Sequence, residues 1–150
     1  MTIELRDVEV GDLPSFFEHQ HDPVANAMAA FPARERDAFD AHWERILSDP
    51  TLVTQTIVVD GAVAGNVVMF PRGDRHLVGY WLGREFWGRG IATVALQRFV
   101  GTIVVRPLHA FVAATNVASR RVLEKCGFTL VEALPPGEDG VEDLLMALER

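Results

Sequence analysis

Two short stretches of this 150-residue chain hold residue types and spacings that could do chemistry. The first, Tyr80–Thr93, reads YWLGREFWGRGIAT. A β-rich run ends near Leu82, a short turn follows, and Gly88-Arg89-Gly90 opens a segment of helical period running on through Ile91, Ala92 and Thr93. Such an arrangement turns several unpaired backbone N–H groups and the positive end of a helix dipole toward one place, where a pyrophosphate fits. Glycine at 88 and 90 lets the backbone approach an anion with no Cβ in the way, and Arg84 and Arg89 add charge nearby. Gly-x-Gly before a helix is also an ordinary tight turn. The stretch carries neither the G-x-G-x-x-G fingerprint nor a P-loop Gly-Lys-Ser/Thr.

The second stretch, Asn116–Phe128, reads NVASRRVLEKCGF. Asn116 stands at a strand-to-helix junction, where its side-chain oxygen can cap the helix and its amide can offer donors to a ligand. Ser119 lies one turn in, and Arg120, Arg121 and Lys125 make one side basic, while Ala118 and Val122 are expected to face inward. Gly127 suits the left-handed position that ends a helix. For Asn116, Ser119 and Arg121 a capping or surface role and a binding role are both open on this segment alone.

Composition narrows the field. Hydrophobic residues make up 49% and charged residues 23%, which suits one soluble domain over residues 1–150 with a substantial core. The net charge of −7 argues against nucleic acid as a partner, since that binding usually needs a basic face. A cationic acceptor suits the overall field better. The one cysteine, Cys126, excludes an intrachain disulfide and a cysteine-based zinc site, and five histidines show no metal-ligand spacing, so no metal is expected. No run approaches the roughly 18 apolar residues of a membrane span, and the polar N-terminus has no signal core. These features point to a cytoplasmic protein without membrane contact.

The elements that must position the two stretches follow from period and punctuation. Residues 2–8 alternate as a strand, Asp12 is placed to cap a helix bearing Leu13, Phe16 and Phe17, and residues 19–31 form an irregular or short-helical connection. Residues 35–48 form a helix with Phe39, Trp43, Ile46 and Leu47 on one face. Residues 52–59 and 62–70 are strands joined by Asp60-Gly61, a two-residue hairpin signal. A turn at 71–75, a strand at 76–82, a helix from Gly88, a strand at 108–114, the Asn116 helix and strands at 128–133 and 141–148 complete the chain. The order β-αα-βββ-α-β-α-ββ describes an α+β or mixed α/β domain with one helix-covered sheet.

Together the two stretches resemble the cofactor motifs of the GNAT acetyltransferases. In that family a Gln/Arg-x-x-Gly-x-Gly/Ala loop is followed, after a helix and a strand, by Asn-x-x-(Ser/Ala)-x-x-x-x-Glu-Lys-x-Gly-Phe. Gly90 and Ala92 match the first; Asn116, Ser119, Glu124, Lys125, Gly127 and Phe128 match the second. Trp87 in place of Gln/Arg, with the Asn-x-x-Ser form, resembles the ribosomal-protein N-terminal acetyltransferase (RimJ/RimL-like) branch. The resemblance covers essentially the whole chain. It implies a mixed sheet of six to seven strands flanked by about four helices, and an acetyl-CoA site in a V-shaped split between the strands at 76–83 and 108–114.

Carried over by position, the N–H groups of Gly88, Arg89, Gly90 and Ala92, with Trp87, Ile91 and Thr93 around them, would hold the pyrophosphate. Leu82, Gly83 and Arg84 would run beside the pantetheine, and a backbone N–H near Leu82 would polarise the thioester carbonyl. Asn116 would bond the pantetheine arm and Arg121 would meet a CoA phosphate. A primary amine, from a protein N-terminus or a small molecule, would attack the thioester directly. Candidate bases are His76, Glu85 and, through a water, Tyr80. Many relatives place a tyrosine acid where this chain has Leu123, so Ser119 is the substitute candidate acid. The acceptor is expected between residues 19–32, where His19, His21, Met28 and Phe31 could line a pocket or fill core, and the loop carrying Glu138, Asp139, Glu142 and Asp143. Aminoglycoside or polyamine acetylation, an acyl-CoA-binding regulatory module without turnover, and a plain interaction domain are the rival readings. A homodimer is left open.

Overall fold

The computed structural model describes residues 1–138 and 140–150, so Asp139 of the acidic loop lies outside the described residues. Among the described residues five α-helices flank one seven-stranded sheet. The strands are β1 (Ile3–Asp7), β2 (Val53–Val59), β3 (Ala62–Arg72), β4 (Arg75–Leu82), β5 (Leu108–Ala113), β6 (Thr129–Leu134) and β7 (Asp143–Leu148). The helices are α1 (Leu13–Gln20), α2 (Pro23–Ala29), α3 (Arg36–Ser48), α4 (Ile91–Gly101) and α5 (Val117–Lys125). In space the strands run β1-β2-β3-β4-β5-β7-β6, every neighbouring pair antiparallel except β4 and β5. The expected mixed α/β class and strand number stand; the helix count rises to five because residues 23–29 close a full short helix. Asp22 explains it: its carboxylate accepts the Val24 N–H at 2.9 Å, and Pro23 starts the helix where no N–H is needed. Among the described residues no helix is long and apolar enough to cross a membrane.

The β2–β3 hairpin turns at Asp60 and Gly61, both at positive φ (48° and 83°), as the dipeptide requires. Beyond it, β3 stays in strand conformation to Arg72, with Pro71 opposite His76, so the second turn is tighter than the expected 71–75. Gly65 fixes the approach of β3 to β4: a Cβ there would come within 2.1 Å of the Trp81 carbonyl oxygen.

Apolar side chains form separate clusters on the two sides of the sheet. One gathers Ile91, Leu96 and Phe99 of α4, Leu123 of α5 and inward residues of β2–β5 and β7. The other is Phe16 of α1 with Phe39 and Trp43 of α3, joined by Phe17 and Ile46. Leu47, expected on this face, is 40% exposed, because one more step around α3 turns it past the contact with α1. In α5 the buried residue is Leu123 and not Ala118, which faces solvent.

Asp12 is expected to cap α1 and does something else. Its carboxylate accepts two hydrogen bonds from Arg6, both 2.8 Å, one from Thr56 Oγ1 at 2.7 Å and one from the Glu9 N–H at 2.9 Å. The group is buried, and it ties β1, β2 and the start of α1 together. The Arg6 bonds, helped by Glu9 and Thr56 and opposed by burial, hold its carboxyl below the ordinary 3.8, at about 2. A depressed carboxylate stabilises the fold above its unfolded pKa and loses that contribution as pH falls through the folded one. Stability should therefore drop by about 2 kcal/mol between about pH 5 and pH 2 on account of this residue. Thermal melts of the protein and of Asp12→Asn across that range check it: the variant should start lower by a similar amount and lose much less on acidification.

Candidate active site

β4 and β5 pair at a single position, Leu77 opposite His109. Beyond it β4 continues to Leu82 and β5 to Ala113 with no further pairing, so the two strands part toward their C-terminal ends. The direction of the exposed backbone follows from the other side of β4. Gly83 donates its N–H to Ala64 of β3 at 2.8 Å, so strand alternation turns the N–H and C=O groups of Leu82 and Tyr80 away from β3, toward the opened gap. The gap thus has a strand edge without a strand partner, which an extended amide-bearing chain can complete.

At the mouth of the gap α4 begins. Gly88 and Gly90 take positive φ of 72° and 76°, and a Cβ on either would meet nothing within 4 Å. Gly90 is therefore required for its backbone, and the space before it is clear. The first backbone bond of the helix is Val94 N–H to Gly90 O at 3.2 Å, leaving the N–H groups of Ile91, Ala92 and Thr93 with no earlier turn to donate to. Trp87 folds back, its indole N–H donating to the Leu82 carbonyl at 2.9 Å, which pins the turn to the end of β4. Arg89 is exposed beside Phe86, and Arg121 is exposed on α5. Arg84 is committed elsewhere, to Asp22 of α2 at 2.9 Å. Sequence spacing gives no hint of that partner.

The second stretch closes the other side. Asn116 caps α5 as expected, its side-chain oxygen accepting the Ser119 N–H at 3.2 Å. Ser119 then meets the first stretch: the Tyr80 hydroxyl donates to its Oγ at 3.1 Å, across the line where β4 and β5 diverge. Burial raises the Tyr80 pKa above its ordinary value, Ser119 opposing, so the phenol stays protonated at neutral pH. It is thus a hydrogen-bond donor to Ser119. Leu123 is buried in the core and offers no hydroxyl. Cys126 packs on that core, and burial pushes its thiol up to about 11, which keeps it protonated at neutral pH.

On the opposite face of β4 lie α1 and α2. The Trp81 indole donates to the His19 carbonyl at 3.0 Å and its ring packs near Phe31, centroids 5.6 Å apart. The His19 imidazole abuts Gly83. Glu85 is exposed in the 3₁₀ turn after β4, whereas His76 sits at the other end of that strand, before the strands part. His21 is exposed against Phe17, and Met28 borders an open hollow of about 560 Å³ with Pro23, Val24, Ala27 and Thr115. Glu138, Glu142 and Asp143 are exposed near the closing hairpin.

Known proteins match this geometry. Residues 2–129 match the family model described as Acetyltransferase (GNAT) domain. "Putative ribosomal N-acetyltransferase YdaF" of Bacillus subtilis (strain 168) is 25% identical over 100 residues, covering 62% of this chain and 55% of the relative, so the match spans about half of that protein. Ribosomal-protein-alanine N-acetyltransferase from Brucella melitensis superposes with a TM-score of 0.85 at 20% identity, over 98% of this chain and 99% of that one. Spermidine N-acetyltransferase from Vibrio cholerae, solved with CoA and spermine, superposes with 0.84 at 16% identity, over 98% and 95%. With the parted strands and the glycine-opened helix, the match across residues 2–129 makes this chain a member of the GNAT acetyltransferase family.

Proposed function

We propose that the protein transfers the acetyl group of acetyl-CoA to a primary amine, and the observation that carries this reading is the single β4–β5 pairing with the start of α4 at the mouth of the gap it leaves. The diphosphate would rest on the N–H groups from Gly88 to Thr93, where the helix dipole favours negative charge. The pantetheine amides would bond the edge of β4 at Tyr80 and at the Leu82 N–H, the Leu82 carbonyl being held by Trp87, and Asn116 would hold the arm from the α5 side. Bound there, acetyl-CoA supplies an activated acyl group whose carbonyl a β4 N–H can polarise.

Ser119 is the hydroxyl placed to protonate the departing sulfur. The Tyr80 proton occupies the Ser119 oxygen, leaving the serine's own proton free to turn toward the gap. Two linked hydroxyls therefore stand in for the tyrosine absent at Leu123, which is what speaks against a module that binds CoA without turnover. A protein N-terminus or a small amine are both served by this site. The names of the relatives point to a ribosomal acceptor in one case and a polyamine in the other. An acidic chain with a single thiol, Cys126, suits a reducing cytoplasm.

Titrating acetyl-CoA and following thiol release over peptides with free N-termini, polyamines and aminoglycosides tests the reading. Binding followed by thiol release on one of these classes is expected; binding without release on any would leave only a CoA-binding module. In Gly90→Glu, a charge in the anion site should weaken acetyl-CoA at least about tenfold. Gly90→Asn, which tolerates positive φ, should bind nearly normally, so backbone strain is separated from charge. For proton donation, Ser119→Ala should lower kcat by about 100-fold. Tyr80→Phe should cost less, and the double variant no more than Ser119→Ala alone, as a coupled pair requires; full additivity in that cycle would separate the two hydroxyls.

A further inference from the structure

The α1 side of the gap holds a histidine that neither motif includes. His19, in the last turn of α1, lies with its ring edge on Gly83: a Cβ built there would come within 2.7 Å of both Nε2 and Cδ2. Only glycine at 83 admits the ring at this position. Gly83 follows Leu82, so the imidazole stands one residue from the strand edge that faces the gap, on the α1–α2 side. Trp81 fixes the helix end that carries it, through the indole bond to the His19 carbonyl.

Its Nδ1 is buried without a hydrogen-bond partner, and buried polar atoms in folded proteins nearly always have one. Nothing around the ring pairs with it directly. Glu85 faces it from the turn after β4 and Glu18 from its own helix. The nearby Arg84 and Asp22 are spent on each other. Burial lowers the His19 pKa below its ordinary value, with Glu85 and then Glu18 opposing, so the ring is neutral at pH 7 and has a lone pair to offer. The same two carboxylates would stabilise the imidazolium once formed.

We infer that His19 accepts the proton an incoming ammonium must lose before it can attack, an assignment that rests on the acetyl-transfer reading. An amine arrives as R–NH3⁺, with no lone pair. One proton passes to the imidazole, giving R–NH2 and imidazolium. The nitrogen–carbon bond then forms and the carbon–sulfur bond breaks. The second proton leaves the new amide nitrogen for the Ser119 oxygen as Ser119 gives its own proton to the sulfur, so the serine ends unchanged, and His19 returns its proton to water. His76, at the far end of β4, and Glu85, exposed in solvent, are less well placed for the first transfer; Glu85 instead positions charge beside His19.

The test uses the amine of the panel turned over fastest, at saturating acetyl-CoA, with kcat/KM followed over pH. His19→Asn should fall about 100-fold at pH 7 with acetyl-CoA affinity unchanged. The deficit should shrink to within a few-fold once pH passes the amine's own pKa, because the free base then needs no acceptor. A deficit constant over pH, or one matched by lost acetyl-CoA affinity, would overturn the assignment. In the unmodified protein the His19 ring signal, followed by NMR, should report a neutral imidazole at pH 7, and a charged one would also overturn it. That measurement stands even if the variant does not fold. Absence of turnover by the unmodified protein is a separate result, and it removes acetyl transfer itself along with this role.

Discussion

The structure depends on two parallel strands that stop pairing. Elsewhere in the sheet, neighbouring strands bond over most of their length; β4 and β5 meet once and separate. Unpaired strand edges are costly inside a protein unless something else takes their bonds. Here the divergence leaves Tyr80 and Leu82 facing a gap, and each surrounding element is arranged about it. Trp87 bonds the end of β4, α4 starts at the mouth, and Asn116 caps α5 on the far side. The candidate site is thus lined by backbone left over by topology, with few side chains committed to it.

That origin explains what could be read in the sequence. Backbone sites need glycines and caps, and these leave marks: Gly88, Gly90, Asn116 and Gly127 stand where the structure requires positive φ or a side-chain acceptor. The Asp60-Gly61 hairpin and the two strands it joins were equally plain, since each follows from local propensity. The strand class, the element order and the Asn116 cap all followed from such local rules.

What could not be read depends on partners distant in the chain. Asp12 looks like a helix cap until β1 and β2 bring Arg6 and Thr56 to it. Arg84 looks free for phosphate until α2 delivers Asp22. Tyr80 and Ser119 were both singled out, but only the fold shows that one donates to the other. His19 carries no motif at all. The one trace is Gly83, whose φ of −59° any residue can adopt, so that the close neighbour and not the turn accounts for glycine there. Ala118 was misplaced for a smaller reason: a nine-residue helix turns through too few residues for a periodicity to choose between adjacent positions.

The sheet also keeps two apolar clusters apart, one beneath α4 and α5 and the other between α1 and α3. Because Phe16, Phe39 and Trp43 share no packing with Phe99 or Leu123, mutations on one flank need no compensating change on the other. The layer of α1 and α3 can therefore be repacked without disturbing the core that seats α4 and α5.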